Sequence, residues 1–215
     1  MPLERISYPD RKHWLAGRER QGIGASEVAA IVGLSPWMKA SELWEIKRGI
    51  RRPKDISSDE AVQRGVNLEG WVRDSFRVLH PEYQIEYHPY DVLFQTERPR
   101  FFATLDGELT DADGRKGILE IKTASPSSRE QWAQWNGKVP GHYQIQVMAQ
   151  LLATGYDFAV LQAALWSRSG DITLKDPYIF ERPDFLQDLI WLRKEQDEFW
   201  HKVETGTNPG ATIRF

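Results

Sequence analysis

Asp106 and, fourteen residues on, the triplet Glu120-Ile121-Lys122 combine two carboxylates and one ammonium in a short stretch of chain. The aspartate closes one apolar run, Phe101-Phe102-Ala103-Thr104-Leu105, and the triplet lies inside a second, Gly117-Ile118-Leu119-Glu120-Ile121-Lys122. Asp111-Ala112-Asp113-Gly114 between them is a tight-turn signal, so the segment is predicted to form a β-hairpin. Side chains alternate along a strand, which puts Glu120 and Lys122 on one face and Leu119 and Ile121 on the other. With Asp106 at the adjoining strand end, all three charged groups can converge on one point. Hard divalent cations such as Mg2+ take oxygen ligands of this kind and keep several waters. A lysine beside the metal can orient or help deprotonate an attacking water. The plain alternative is a solvated Glu-x-Lys face with a weak cross-strand ion pair.

The elements that must position these groups follow from periodicity and punctuation. Short helices are expected over residues 26–32, stopped by Gly33, and 40–48, stopped by Gly49. A longer helix is expected over 59–79, ended by His80-Pro81. Strands follow at 84–94, 101–109 and 116–122, then a helix at 141–153, strands at 158–167 and 172–181, and a last helix at 184–204. Neither repeats nor a linker interrupt this order, which predicts one α/β domain over residues 1–215, a mixed central sheet flanked by helices.

Glu69 sits at the edge of the apolar stripe Leu68, Trp71, Val72, Phe76 and Leu79, turned partly inward; a surface pairing with Arg73 four residues on is the alternative. Gly70 beside it, at a cost of about 1 kcal/mol against Ala in a helix, suggests close packing. In the 141–153 helix, Gln144 projects into the apolar arc of Val147, Met148 and Leu151, whereas Gln146 and Gln150 fall on the opposite face. A buried amide needs partners: either a structural network or an active-site group that it orients. Arg18, Arg20, two glycines and Ser26 precede a helix start, a setting suited to a phosphate, although Ser26 also reads as a plain N-cap. No Gly-Lys-Ser/Thr follows, which argues against nucleotide hydrolysis. The basic run Lys47-Arg48-Gly49-Ile50-Arg51-Arg52-Pro53-Lys54 is a solvated loop or, if DNA binds, a backbone contact through Arg48, Arg51 and Arg52. Trp132 and Trp135, in a polar stretch, are candidates for an interface or for bases.

Composition narrows the classes. The 215 residues carry a formal charge of −3, so any hold on DNA must be local or geometric rather than general. Cysteine is absent, which removes disulfides, zinc–thiolate sites and cysteine nucleophiles, and the five histidines show no metal-ligand spacing. No apolar run approaches the roughly 20 residues needed to span a bilayer, and Met-Pro-Leu-Glu-Arg lacks a signal segment. A cytoplasmic location is the expectation.

Taken together, Gly24-Ala25-Ser26-Glu27-Val28, Arg64-Gly65-Val66-Asn67-Leu68-Glu69, Leu105-Asp106-Gly107, Leu119-Glu120-Ile121-Lys122 and Tyr143-Gln144-Ile145-Gln146 resemble, in the same order, the phage lambda exonuclease family of the PD-(D/E)xK nuclease superfamily. They span about two thirds of the chain. Leu105 stands where that family often has proline. The resemblance implies Asp106, Glu120 and the Ile121 carbonyl as metal ligands for Mg2+, or Mn2+ in its place, two ions per site. It implies that Lys122 positions the nucleophilic water, that Glu69 and Gln144 complete the site, and that Ser26 with Arg18 or Arg20 holds a DNA 5′-phosphate. The implied activity is 5′→3′ resection of double-stranded DNA ends by a ring, a trimer in expectation, working with a single-strand-annealing recombinase in a bacterial or phage-infected cell. A PD-(D/E)xK endonuclease and an inactive DNA-end-binding module are the alternatives.

Overall fold

The computed structural model describes residues 2–167 and 169–210, leaving out the side chains of residues 20 and 21. The chain runs β1 (Leu3–Ser7), α1 (Arg11–Gln21), β2 (Ile23–Gly24), a 3-10 turn (Ala25–Glu27), α2 (Val28–Ile31), α3 (Ala40–Lys47) and α4 (Glu60–Leu79). It continues through β3 (Gln84–Glu86), β4 (Asp91–Gln95), β5 (Phe101–Ala103), β6 (Gly107–Thr110), β7 (Lys116–Ala124), α5 (Arg129–Ala133) and α6 (Gly141–Thr154). The last elements are β8 (Phe158–Trp166), β9 (Ile172–Leu174), β10 (Tyr178–Glu181), a second 3-10 turn and α7 (Leu186–Thr205). Among the described residues no helix is long and apolar enough to cross a membrane.

The strands form two mixed sheets rather than one. The first has the order β1-β4-β5-β2; the second runs β10-β8-β7-β6-β3, with β9 also on β8. Three expected strands are therefore broken. Residues 84–94 are β3 and β4, in different sheets, with Pro89 in the link between them. Residues 101–109 are β5 and β6, and Thr104, Leu105 and Asp106 carry the chain across from one sheet to the other. The unpaired Thr104 carbonyl accepts from Gln150 Nε2 at 3.4 Å. Residues 172–181 are β9 and β10, both antiparallel to β8, with Pro177 removing a ladder donor between them. The expected hairpin is β6–β7, pairing Gly107 with Leu119 and Thr110 with Lys116. Its turn closes through the Asp111 carboxylate, which accepts the N–H groups of Asp113 and Arg115, with Gly114 at φ 78°.

A polar staple flanks the crossing point. Arg5 on β1 donates to Asp91 on β4 and Glu108 on β6, each at 2.6 Å, and Tyr156 Oη donates to Glu108 at 2.5 Å. The staple ties both sheets together two residues beyond Asp106.

The second sheet is covered on both faces. Leu119 and Ile121 join Val72 and Phe76 of α4, Leu109, Phe158 and Val160 in one cluster. The opposite face joins the larger cluster of α2, α3, α6 and α7. Strand β8 is buried along its whole length, which explains its near-continuous apolar sequence. The α4 stripe is narrower than its periodicity suggests: Val72 and Phe76 are buried with Arg73, while Trp71 and Leu79 are exposed. At Gly70 an added Cβ would meet open space, so close packing is not its reason. Gly117 is the contrasting case, because a Cβ there would collide with the Phe158 ring that lies over it. Gly117→Ala is expected to cost about 3 kcal/mol through overpacking, read as a lower urea midpoint at unchanged slope.

Candidate active site

Asp106 lies where the chain crosses between sheets, and β7 supplies its anchor. The Ile121 N–H donates to Asp106 Oδ2 at 2.7 Å. In a strand the N–H and C=O of one residue point to the same side, so the Ile121 carbonyl also points past the end of β6, beside Asp106. Arg73 Nε donates to the Asp106 backbone carbonyl at 2.6 Å, and its other arm reaches Glu69 Oε1 at 2.5 Å. The Arg73 guanidinium also lies 3.4 Å from the Tyr87 ring centre. The two readings of Glu69 thus meet: it pairs with Arg73, and that pair holds the backbone of Asp106.

Glu120 is buried, and donors reach both of its oxygens. Lys122 Nζ lies 2.5 Å from Oε1, Gln146 Nε2 donates to Oε1 at 2.5 Å, and Gln150 Nε2 donates to Oε2 at 2.5 Å. These glutamines are the pair that periodicity had turned away. Gln144 is half-buried and makes none of the hydrogen bonds to Glu120 found among the described residues. The reason is that α6 is enclosed on most sides, so its apolar arc does not mark the one inner face. The overlooked signal was two glutamines four apart, one helical turn, which can clasp a single carboxylate.

Charge explains the electrostatics. Burial and then the negative charges of Glu120 and Glu69 hold the Asp106 carboxyl well above the ordinary range, against the pull of Lys122 and the Ile121 N–H. Burial likewise raises Glu69, offset by Arg73 and reinforced by Glu120. For Lys122 burial acts to lower the pKa, but Glu120 and Asp106 outweigh it and the net direction is upward, so it is an ammonium at neutral pH. Its Nζ also stands 5.0 Å from the Tyr143 ring centre.

The donor chemistry fits a hard divalent cation. No cage of three or more His, Cys, Asp or Glu side chains occurs among the described residues. Two carboxylates and the Ile121 carbonyl beside them nevertheless match Mg2+, which binds few protein oxygens and retains water.

The phosphate-site residues sit on a neighbouring wall. Ser26 is exposed in the middle of the 3-10 turn, and no helix start among the described residues takes it as a side-chain cap; Glu27 instead accepts the Gly24 N–H at 2.9 Å while pairing with Lys47 Nζ at 2.7 Å. Arg18 is stacked 4.6 Å from the Trp14 ring centre and 5.7 Å from that of Phe102, within the field of Glu27, Asp106 and Glu120. The side chain of Arg20 lies outside the described residues. A cavity of about 410 Å3 is lined by Arg18, Glu27, Lys47, Arg51, Arg52 and Phe102, among others. Arg51 pairs with Glu42 and Glu45 at its edge. Arg48 instead donates to the Val203 carbonyl at the end of α7. Trp135 is a core residue whose carbonyl accepts from Tyr178, and Trp132 packs partly buried against the same cluster, so neither is an open surface for bases.

Comparison with known proteins agrees with this architecture. Residues 13–157 match the family described as the YqaJ-like viral recombinase domain. The protein YqaJ of Bacillus subtilis (strain 168) is 30% identical over 221 residues, covering 96% of this chain and 61% of its own length. The chain therefore spans about three fifths of that relative. An alkaline exonuclease, LHK-Exo of Laribacter hongkongensis, superposes with a TM-score of 0.66 at 20% identity, covering 91% of this chain and 94% of its own. The same enzyme in complex with dAMP gives 0.61 over the same coverage. At that identity the likeness is one of fold.

Proposed function

Since this chain belongs to the YqaJ-like viral recombinase domain family, we propose that it is a metal-dependent 5′→3′ exonuclease that resects double-stranded DNA ends. Its 3′ single-stranded tails would feed recombination by strand annealing. The observation that carries this reading is the meeting of Asp106, Glu120 and Lys122 at the crossing between sheets, fixed by Arg73, Gln146 and Gln150. Asp106, Glu120 and the Ile121 carbonyl would hold Mg2+ or Mn2+, two ions by the family resemblance, which supply charge for phosphodiester hydrolysis. Lys122 holds a positive charge at the attacked phosphate and orients water there. Gln146 and Gln150 keep both Glu120 oxygens in place, and Arg73 fixes the backbone carbonyl of Asp106 where the chain crosses between the sheets. Residues 1–215 act as one nuclease domain, in a ring that light scattering should reveal as a closed oligomer, a trimer in expectation. The partner is a single-strand-annealing protein.

The test is a linear duplex labelled at either 5′ end, incubated with Mg2+ and then with EDTA. Loss of label from the 5′ ends with Mg2+ alone supports the reading. Cutting of a covalently closed plasmid would point to an endonuclease, and binding without hydrolysis to an inactive end-binding module.

The cavity beside Arg18 leads to a second expected result. A terminal phosphate carries more charge than a diester, and charge-assisted hydrogen bonds contribute about 1.5–3 kcal/mol each. A 5′-phosphorylated duplex should be digested several-fold faster than a 5′-hydroxyl duplex. Ser26→Ala with Arg18→Ala should erase most of the difference, and Arg20→Ala in place of Arg18→Ala shows which arginine matters. Equal rates on both duplexes at low salt would remove the phosphate role.

A further inference from the structure

Trp37 is 72% exposed, the most open of the tryptophans among the described residues, yet it is held in place. The loop before it is pinned by the Leu34 and Ser35 N–H groups, which both donate to the Ala29 carbonyl at 2.8 and 3.0 Å. Ser35 Oγ accepts the N–H groups of Trp37 and Met38 at 3.3 and 3.2 Å. The indole meets the His142 ring at 4.9 Å in an edge contact of 84°, and the Tyr143 ring at 6.3 Å. Tyr143 in turn lies 5.0 Å from Lys122 Nζ. A large flat ring is thus fixed on one side by two aromatic neighbours, with most of its surface in solvent.

We propose that Trp37 is the platform on which an unpaired nucleobase of the DNA strand stacks as its backbone passes Lys122, making Trp37 a positioning residue for the hydrolysis. The inference rests on the nuclease reading of the same site. Base stacking is indifferent to sequence, because every base presents a π face, and this suits an end-resecting enzyme. A pinned loop loses little freedom on binding, so the ring is ready to receive the base. The Lys122 ammonium, paired with Glu120, lies next to Tyr143 on this path.

The experiment uses the full chain in EDTA with a duplex whose two terminal nucleotides are unpaired and include 2-aminopurine, placed on each strand in turn. The unaltered protein is expected to quench the fluorophore on one strand. Trp37→Ala should abolish the quench and weaken end binding about tenfold, while Trp37→Phe restores much of both. With Mg2+, Trp37→Ala should raise KM far more than it lowers kcat. A quench unchanged by Trp37→Ala, with folding verified by circular dichroism, overturns the platform. So does a change of oligomeric state in place of the quench, which would mean that a second copy of the chain covers the ring. Hydrolysis of the same duplex by the unaltered protein reports separately on the nuclease reading, so the two failures are distinguishable.

Discussion

Asp106→Asn and Glu120→Gln are each expected to lower Mg2+-dependent hydrolysis by roughly a thousandfold or more, since several kcal/mol of charge stabilisation passes through these oxygens. DNA-end binding, measured by fluorescence anisotropy in EDTA, should survive in both, because Arg18, Lys47 and Arg52 are untouched. Stability should separate the two variants. The Asp106 carboxyl is held above its ordinary pKa by burial, Glu120 and Glu69. A carboxyl with a raised folded pKa loses stability as pH climbs from its unfolded value through its folded one. Asparagine removes that loss and can still accept the Ile121 N–H, so in EDTA at neutral pH Asp106→Asn should melt no lower than the unaltered protein. Glu120 is different: Gln146, Gln150 and Lys122 all point donors at it. A glutamine there sets one donor against another, at an expected cost of about 1–3 kcal/mol. Near-normal turnover in either folded variant would remove the carboxylates from the metal site.

The same residues show what was legible in the sequence. Alternation on β7 correctly separated Glu120 and Lys122 from Leu119 and Ile121, because a strand has only two faces and one of them meets α4. The hairpin turn was readable from Asp111 and Gly114, where local chemistry alone determines the bend. The division into two sheets was not readable. Thr104 and Leu105 look like a continuation of the strand, and only the tertiary crossing, with Gln150 on the Thr104 carbonyl, ends it. α1 was missed because its sequence is mostly polar, with an Asp10 cap as its clearest mark. That Gln146 and Gln150, rather than Gln144, reach Glu120 has a related reason. An apolar arc identifies an inner face only when a helix has a single buried side, and α6 is packed by β4, β5, β7, β8 and three helical segments. Polar residues in such a helix are informative by spacing, not by face, and Gln146 and Gln150 are one turn apart.

Lys122 is the remaining group whose loss should be severe, and its surroundings distinguish between two roles for it. Lys122→Ala should lower kcat by roughly a hundredfold to a thousandfold, the scale of removing one preorganised donor from a site of developing charge. End binding in EDTA should change little, since the basic cavity lies on another wall. Glu120 and Asp106 outweigh burial and raise the ammonium's pKa, so at neutral pH it has no free lone pair with which to take a proton from water. On the proposed reading its part is to place charge and to orient the attacking water. Lys122→Arg tests how tightly that charge must be placed. The side chain is only 17% exposed, wedged 2.5 Å from Glu120 Oε1 and 5.0 Å from the Tyr143 ring centre. A planar, forked guanidinium cannot occupy the place of a compact ammonium there. The arginine variant should therefore stay within about tenfold of Lys122→Ala, while Lys122→Met, which keeps the apolar stem, should match the unaltered protein in thermal melting more closely than either. Recovery of most of the rate by arginine would show that positive charge alone suffices and that the geometry around Glu120 does not set the rate.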